Sequence, residues 1–350
     1  MSFIRGEVCL DTLERLVGAP SIDGVVLVTS SGELARRAAV LGVECELVAA
    51  GGFHLGNYLA DLVSRRLPES VICMGGASAP LATTDDFEEV ARALRSADGV
   101  VVANNMVSAD IMGFRPAAAI GRIEPPESDN FLAYLLREIG LTPVLLPEGP
   151  VFGMDADTPA DYALLALHPN AGARTLCAID KSEWLRVPVQ KALAATMDRH
   201  CRVFLSGRVG PAVMSYIKEN LQWRLRVVTE ERGLKSIGAG GDRGGRVHSI
   251  TGKLVDLMGD DGFFDYLEQI CDLALIDTRV VFAHWGIEPR AGDRFNSDLG
   301  RPEGIGNERM RSLTEAVNRR RIPILFGGHS LVNGGLWVLA ERCAGTRGSK

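Results

Sequence analysis

"SVICMGGASAPLATTDDFEEVARALRSADGVVVANN", residues 70–105, decides the fold. "SVICMGG" (70–76) is a short apolar run of strand length, "TDDFEEVARALRSA" (84–97) has the amphipathic pattern of a helix, and "GVVVANN" (99–105) is a second β-branched run. Thr84 followed by Asp85 and Asp86 marks the helix start, because a hydroxyl and early acids satisfy and complement exposed amides. Strand, helix, strand in about 35 residues is the unit from which parallel sheets are built.

The same alternation runs outward in both directions. "GVVLVTS" (24–30) and "CELVAA" (45–50) read as strands, with "LDTLERLV", "GELARRAAVLG" and "GNYLADLVSRRL" as helices. "TPVLLPEGPVFGMDADTPADYALLALHP" (142–169) gives a strand, an acidic corner and a helix capped by Thr158 with Pro159 in its first turn. A second series follows "HPNAGAR": strands at "RVFLSG", "RLRVVTE", "LALIDTRVVFAH" and "IPILFGG", helices at "PAVMSYIKENL", "FFDYLEQICD", "NERMRSLTEAVNRR" and from Ser330 onward. The reading is an α/β protein with a doubly wound, mostly parallel sheet over residues 1–172 and a second α/β domain over 173–350.

Composition narrows the classes of partner. With 350 residues, 46% of them hydrophobic, the chain can build two cores. Thirty-eight basic against 44 acidic side chains give −6 with no long block of one sign, which argues against a nucleic-acid footprint. The seven cysteines form no CxxC pair and read as free thiols of a reducing cytoplasm. "MSFIRGEVCLDTLERL" carries charges every few residues, and no run of eighteen apolar residues occurs, so no secretion signal or membrane span is expected. Self-association is left open.

Four stretches, "GVVLVTS", "GGASAPLATTDDF", "VVVANN" and "DADTPADYALL", resemble the NTP-transferase family that includes the molybdenum-cofactor and 2-phospholactate guanylyltransferases. The resemblance covers residues 8–168 and implies a GT-A-like nucleotidyltransferase domain. It implies transfer of a nucleoside monophosphate, GMP in the first place, from a triphosphate to a phosphorylated small-molecule acceptor with magnesium. Two departures stand beside it: Ser78 holds the place of the family's metal-binding aspartate, and "LDTLERLV" is the helix that in the family follows a strand and a Gly-rich loop.

Candidate residues fall where strands end. Asp155 and Asp157 in "MDAD" are the candidate metal ligands, with helix capping as the alternative. Gly75, Gly76, Ser78, Asn105, Asp110 and Asp129 are candidates for the nucleotide, with the capping of helices and turns as the alternative for the asparagine and the two aspartates. Ser78 is expected at the end of a central strand within reach of the acidic corner, Pro80 turning the chain into the helix.

In the second half, Gly328, His329 and Ser330 in "FGGHSLVNGG" open the last helix, and their amides are expected to face the same crevice as Arg279 and Arg294. Pairing of those arginines with Asp277 and Asp298 is the alternative. His284, His329 and an aspartate could ligate a metal, yet no zinc spacing is present. The Gly-rich basic loop 233–245 is no Walker loop, since Arg246 and Val247 replace the lysine and hydroxyl.

Three classes of function follow: a nucleotidyltransferase, a nucleotide- or sugar-phosphate-binding protein on a transferase scaffold, or an enzyme whose chemistry lies in the second half.

Overall fold

A computed structural model describes residues 1–49, 51, 53–125, 131–230 and 247–348. The chain is of the α/β class and divides into two compact units. Unit 1 comprises Met1–Asp155 with Gly172–Leu176, and unit 2 comprises Ala156–Ala171 with Cys177–Lys350. Asp11 ties the returning segment to unit 1: its buried carboxylate accepts from Thr175 N–H at 2.8 Å and Thr175 Oγ1 at 2.7 Å.

Among the described residues unit 1 has six strands: β1 (Val26–Thr29), β2 (Glu44–Leu47), β3 (Val71–Met74), β4 (Val100–Ala103), β5 (Ile111–Arg115) and β6 (Thr142–Leu145). They form two sheets. β1 and β2 pair in parallel, joined by the helix Gly32–Ala39. The other sheet has the order β3-β5-β4-β6, with β4 and β6 parallel and β5 antiparallel to both neighbours.

Period-two alternation puts this second sheet between two apolar layers. Val101 and Ala103 pack with Leu59, Val63, Leu132 and Leu136 on one side, and Val100 and Val102 with Leu16, Phe87, Val90 and Leu94 on the other. All four residues of β4 are buried.

Two expectations are corrected here. β3 is an edge strand of its sheet, not a central one, because β5, absent from the sequence reading, inserts between β3 and β4 as an antiparallel return. The cap of the helix Thr84–Arg95 is Thr83, one residue earlier than expected. Thr83 Oγ1 accepts from Asp86 N–H at 3.2 Å, and the Asp86 carboxylate accepts from Thr83 N–H at 2.7 Å, a reciprocal capping box.

Unit 2 is built on a four-stranded parallel sheet of β7 (Arg202–Gly207), β8 (Arg224–Thr229), β9 (Leu273–Asp277) and β10 (Ile324–Gly327) in the order β10-β9-β7-β8. Phe204, Ala274, Ile276 and Phe326 face a layer containing Val255, Phe263, Phe264 and Met310, while the alternating Leu273 and Leu275 are fully buried as well. Burial on both faces explains why these strands read as continuous apolar runs.

"LALIDTRVVFAH" is not one strand. It breaks at Asp277, whose side chain accepts from Arg279 N–H at 3.1 Å and starts the helix Thr278–His284. The last helix begins at Gly334, not Ser330, after a single 3₁₀ turn over Ser330–Val332. No helix among the described residues is long and apolar enough to cross a membrane.

Candidate functional site

Unit 1 carries a cavity of about 710 Å³ at the carboxyl ends of its strands. Leu27, Val28 and Thr29 of β1, Val48 just after β2 and Gly76 just after β3 all line it. The sequence places three kinds of binding group there.

Ser30 and Ser31 lead from β1 into the helix Gly32–Ala39, whose first turn is capped by Ser31 Oγ accepting from Leu34 N–H at 3.2 Å and lines the cavity with Glu33 and Leu34. Arg5 and Arg37 bring positive charge. Arg37 is held in place by a two-pronged bond to the buried Glu7, at 2.6 and 2.7 Å. Phe53, 44% exposed, offers a ring at the wall and leans on Tyr58, ring centres 5.5 Å apart. Cys9 lies deeper, and burial pushes its thiol up to about 11, so it stays a neutral apolar surface.

The glycine corner is packed tightly beside this cavity. A side chain at Gly75 would come within 2.7 Å of Ser78 Oγ, and one at Gly76 within 3.5 Å of Cys9 Sγ. Ser78 is buried and donates from Oγ to Asp155 Oδ1 at 2.9 Å, while the two backbones form an isolated antiparallel bridge. Serine and the acidic corner thus meet as expected, and Ala79 N–H donates to Met154 O at 3.0 Å to fix the approach.

Asp157 belongs with unit 2. Its N–H donates to Asp161 Oδ2 at 3.2 Å, and the same oxygen accepts from Thr158 N–H at 2.8 Å as part of a capping box. Among the described residues no three His, Cys, Asp or Glu side chains gather in a way that could hold a metal ion.

Asn105 and Asp110 serve the β4–β5 turn. Asn105 Oδ1 accepts from the N–H groups of Val107 and Ser108, both at 2.9 Å, and Asn104 exchanges bonds with Asp110 through its amide, at 3.0 and 3.1 Å. Asp129 and the Gly-rich stretch 233–245 lie outside the described residues.

At the carboxyl ends of the unit 2 strands the polar groups are paired with one another. Gly207, at φ 116°, lets the chain leave β7 so closely that a side chain there would come within 2.3 Å of Asp277 Cβ. Asp277, fully buried, accepts from Arg208 at 2.6 and 3.1 Å. Arg279 donates twice to Asp298, at 3.0 and 2.6 Å, and once to Thr278 Oγ1.

Arg279 is thus paired with Asp298, which is the alternative reading for this residue. Arg294 places its guanidinium 5.3 Å from the centre of the Phe295 ring. His329 and Ser330 spend their carbonyls on the 3₁₀ turn, accepting from Val332 and Asn333 N–H, and Gly328 faces the Thr158 methyl. His284 is a structural residue: Nδ1 accepts from Ser249 N–H at 3.1 Å and Nε2 lies 3.1 Å from Asp256 Oδ2. No nitrogen remains for a metal.

Asp161 is the one group here whose chemistry stands out. It is completely buried, its Oδ1 meets no hydrogen-bond partner among the described residues, and burial, reinforced by the charges of Asp157 and Asp298, raises its pKa from 3.8 to about 7.

A second cavity of about 410 Å³ lies near the start of β10, lined by Trp184, Lys191, Asn318 and Arg320, with Arg301 stacked on Trp184 at 4.8 Å. No family model matches the chain, and no curated protein matches it.

Proposed function

We propose that the chain is a nucleotide-binding protein whose unit 1 is of the GT-A-like nucleotidyltransferase type and takes a nucleoside phosphate in the 710 Å³ cavity. The observation that carries this reading is the convergence, at the carboxyl ends of β1 and β3, of a capped helix start, two arginines and an aromatic wall on one cavity of ligand size. In this reading the phosphates lie against Ser30, Ser31 and Arg5, and the base against Phe53. Magnesium would come as the nucleotide's own ion, with Asp155 the carboxylate nearest the glycine corner. GMP transfer to a phosphorylated acceptor is the reaction that the sequence resemblance favours.

One observation favours a second reading, binding without turnover. The Asp155 carboxylate already accepts the Ser78 hydroxyl, where the family that the sequence resembles carries an aspartate. Titration with GTP in the presence of magnesium, followed by calorimetry and by pyrophosphate release, separates these outcomes. Saturable binding that falls at least tenfold in Arg5→Ala and Phe53→Ala supports the site. Pyrophosphate release with an acceptor supports transfer, and binding without release supports the second reading. Absence of binding to any nucleoside triphosphate overturns both.

A further inference from the structure

The second cavity, of about 410 Å³, lies wholly within unit 2. Residues 322–326, which lead into β10 and form most of it, all line it. Its other walls are the first turns of the helix Glu183–Thr196, with Trp184, Pro188 and Lys191, and the carboxyl ends of the helices Ala291–Asp298 and Glu308–Asn318.

Most of the polar groups in these walls are spent on the protein itself. Asp298 is held by Arg279 at 2.6 Å. Arg320 pairs with Asp261 at 2.9 Å and with Asp265, and donates to Ala316 O at 3.1 Å. Ser297 Oγ and Thr314 Oγ1 lie 3.0 Å apart, and Thr314 also donates to Met310 O at 2.8 Å. Val187, Pro188, Val317 and Ile322 supply apolar surface between them.

Unspent charge of one sign remains. Lys191 lines the cavity, is exposed, and meets no carboxylate among the described residues. Arg321 lines it too, with its side chain almost wholly in water and Glu268 no nearer than 3.9 Å, too loose a pair to hold it. Arg301 follows the lining residue Gly300 and sets its guanidinium 4.8 Å from the centre of the Trp184 ring. Among the described residues its side chain has no carboxylate partner and donates no hydrogen bond.

The local fold fixes Arg301 there. Gly300 takes the chain out of the helix Ala291–Asp298 in the left-handed region, φ 67°, and a side chain on it would come within 2.8 Å of Asn318 Oδ1. Asn318 Nδ2 donates to Gly300 O at 2.8 Å, and Arg301 N–H donates to Asn296 O at 2.8 Å. A guanidinium seated on an indole ring keeps its planar fork of donors for an oxyanion.

We propose that this cavity is a second small-molecule site, which takes an organic anion with an apolar arm and a carboxylate or phosphate head. The head meets Arg301 and Lys191, and the arm lies against Trp184, Val187 and Ile322. The volume is that of a small-ligand pocket. The inference is independent of the nucleotide reading of unit 1.

The test titrates the nitrogen-labelled full chain with phenylbutyrate, following by NMR the Trp184 indole signal, one of four in the chain and assigned through Trp184→Phe. Saturable shifts are expected at the Trp184 indole and the Gly300 amide. Phenylbutyramide on the parent protein, and phenylbutyrate on Arg301→Gln, are each expected to bind about tenfold more weakly, the loss of one charge-assisted hydrogen bond. Phenylpropyl phosphate, with the same arm, identifies the head: tighter binding than phenylbutyrate assigns a phosphate and weaker binding a carboxylate, and either supports the site. The inference is overturned if neither anion saturates the Trp184 signal by about 10 mM. It is equally overturned if the amide binds as tightly as the acid, or if Arg301→Gln binds the acid as tightly as the parent protein does.

Discussion

At the carboxyl end of β9 the Asp277 side chain is fully buried and held by Arg208 at 2.6 Å, whereas at the carboxyl end of β1 Thr29 and Ser31 look onto a cavity of about 710 Å³. Both units are α/β, and both bring polar residues to the ends of their strands. In unit 2 the arginines and aspartates that gather there satisfy one another, so charge concentrated at strand ends serves the fold. In unit 1 Arg37 is anchored by Glu7, and it lines an open cavity together with Arg5. Polar residues at strand ends mark a site only where their partners leave room for a ligand.

The largest expected effect breaks the self-satisfied side of this comparison. Asp298→Ala leaves the Arg279 guanidinium buried without its partner and is expected to cost unit 2 about 3–5 kcal/mol, read from urea unfolding. A cost near zero would mean that the pair is dispensable and that Arg279 is available to a ligand after all.

Gly207→Ala comes next. The added carbon would sit on Asp277 and would require a left-handed backbone of alanine, so a loss of roughly 1–3 kcal/mol is expected together with a weakened Arg208–Asp277 pair. Thermal unfolding compared with Gly262→Ala, where the nearest neighbour is 3.7 Å away, checks it.

Asp161 sharpens the same comparison through pH. Its folded pKa of about 7 exceeds the ordinary 3.8, so the native state holds a proton that the unfolded chain releases, and its contribution fades as pH rises from about 4 to 7. The slope from this one group approaches about 1.4 kcal/mol per pH unit within that window. Asp161→Asn should flatten it, gaining on the parent protein as pH rises and levelling above pH 7. Parallel stability curves for the two proteins would show that Asp161 is ionised when folded.

The smallest effect belongs to unit 1. Ser78→Ala removes one hydrogen bond to Asp155 and is expected to cost about 0.5–1.5 kcal/mol. Ser78→Asp should raise magnesium affinity, measured by titration. Unchanged affinity would mean that the corner is structural.

Much of the fold was legible because β-branched runs and capped amphipathic stretches alternate so regularly. Strands β1–β4 and β6–β10 and the caps near Thr84 and Thr158 were all within reach of that pattern. β5 was not, because "IMGFR" has a glycine at its centre and returns directly from β4 without a helix to announce it. The run from Leu273 to His284 is apolar enough for one strand. Only Asp277, an N-cap in mid-run, signals the switch to a helix.

"GGHS" looked like a helix start because serine caps helices, but Asn333 has the stronger local role. Its side chain accepts from Gly210 N–H and donates to Arg208 O, and the helix begins after it. The candidate cavity was only half legible. Gly76 and the strand ends were visible, whereas Arg5, Arg37 and Phe53 come from separate elements with no common spacing, and "VTSSGE", a strand end running into a serine cap, was the one local signal.

Hydrogen exchange of the full chain with and without saturating GTP and magnesium tests the central claim most directly. The account predicts protection at residues 29–34 and 75–76 of unit 1, with residues 207–210, 277–279 and 327–330 of unit 2 unchanged. Protection confined to those unit 2 segments, with the unit 1 cavity unaffected, would contradict it.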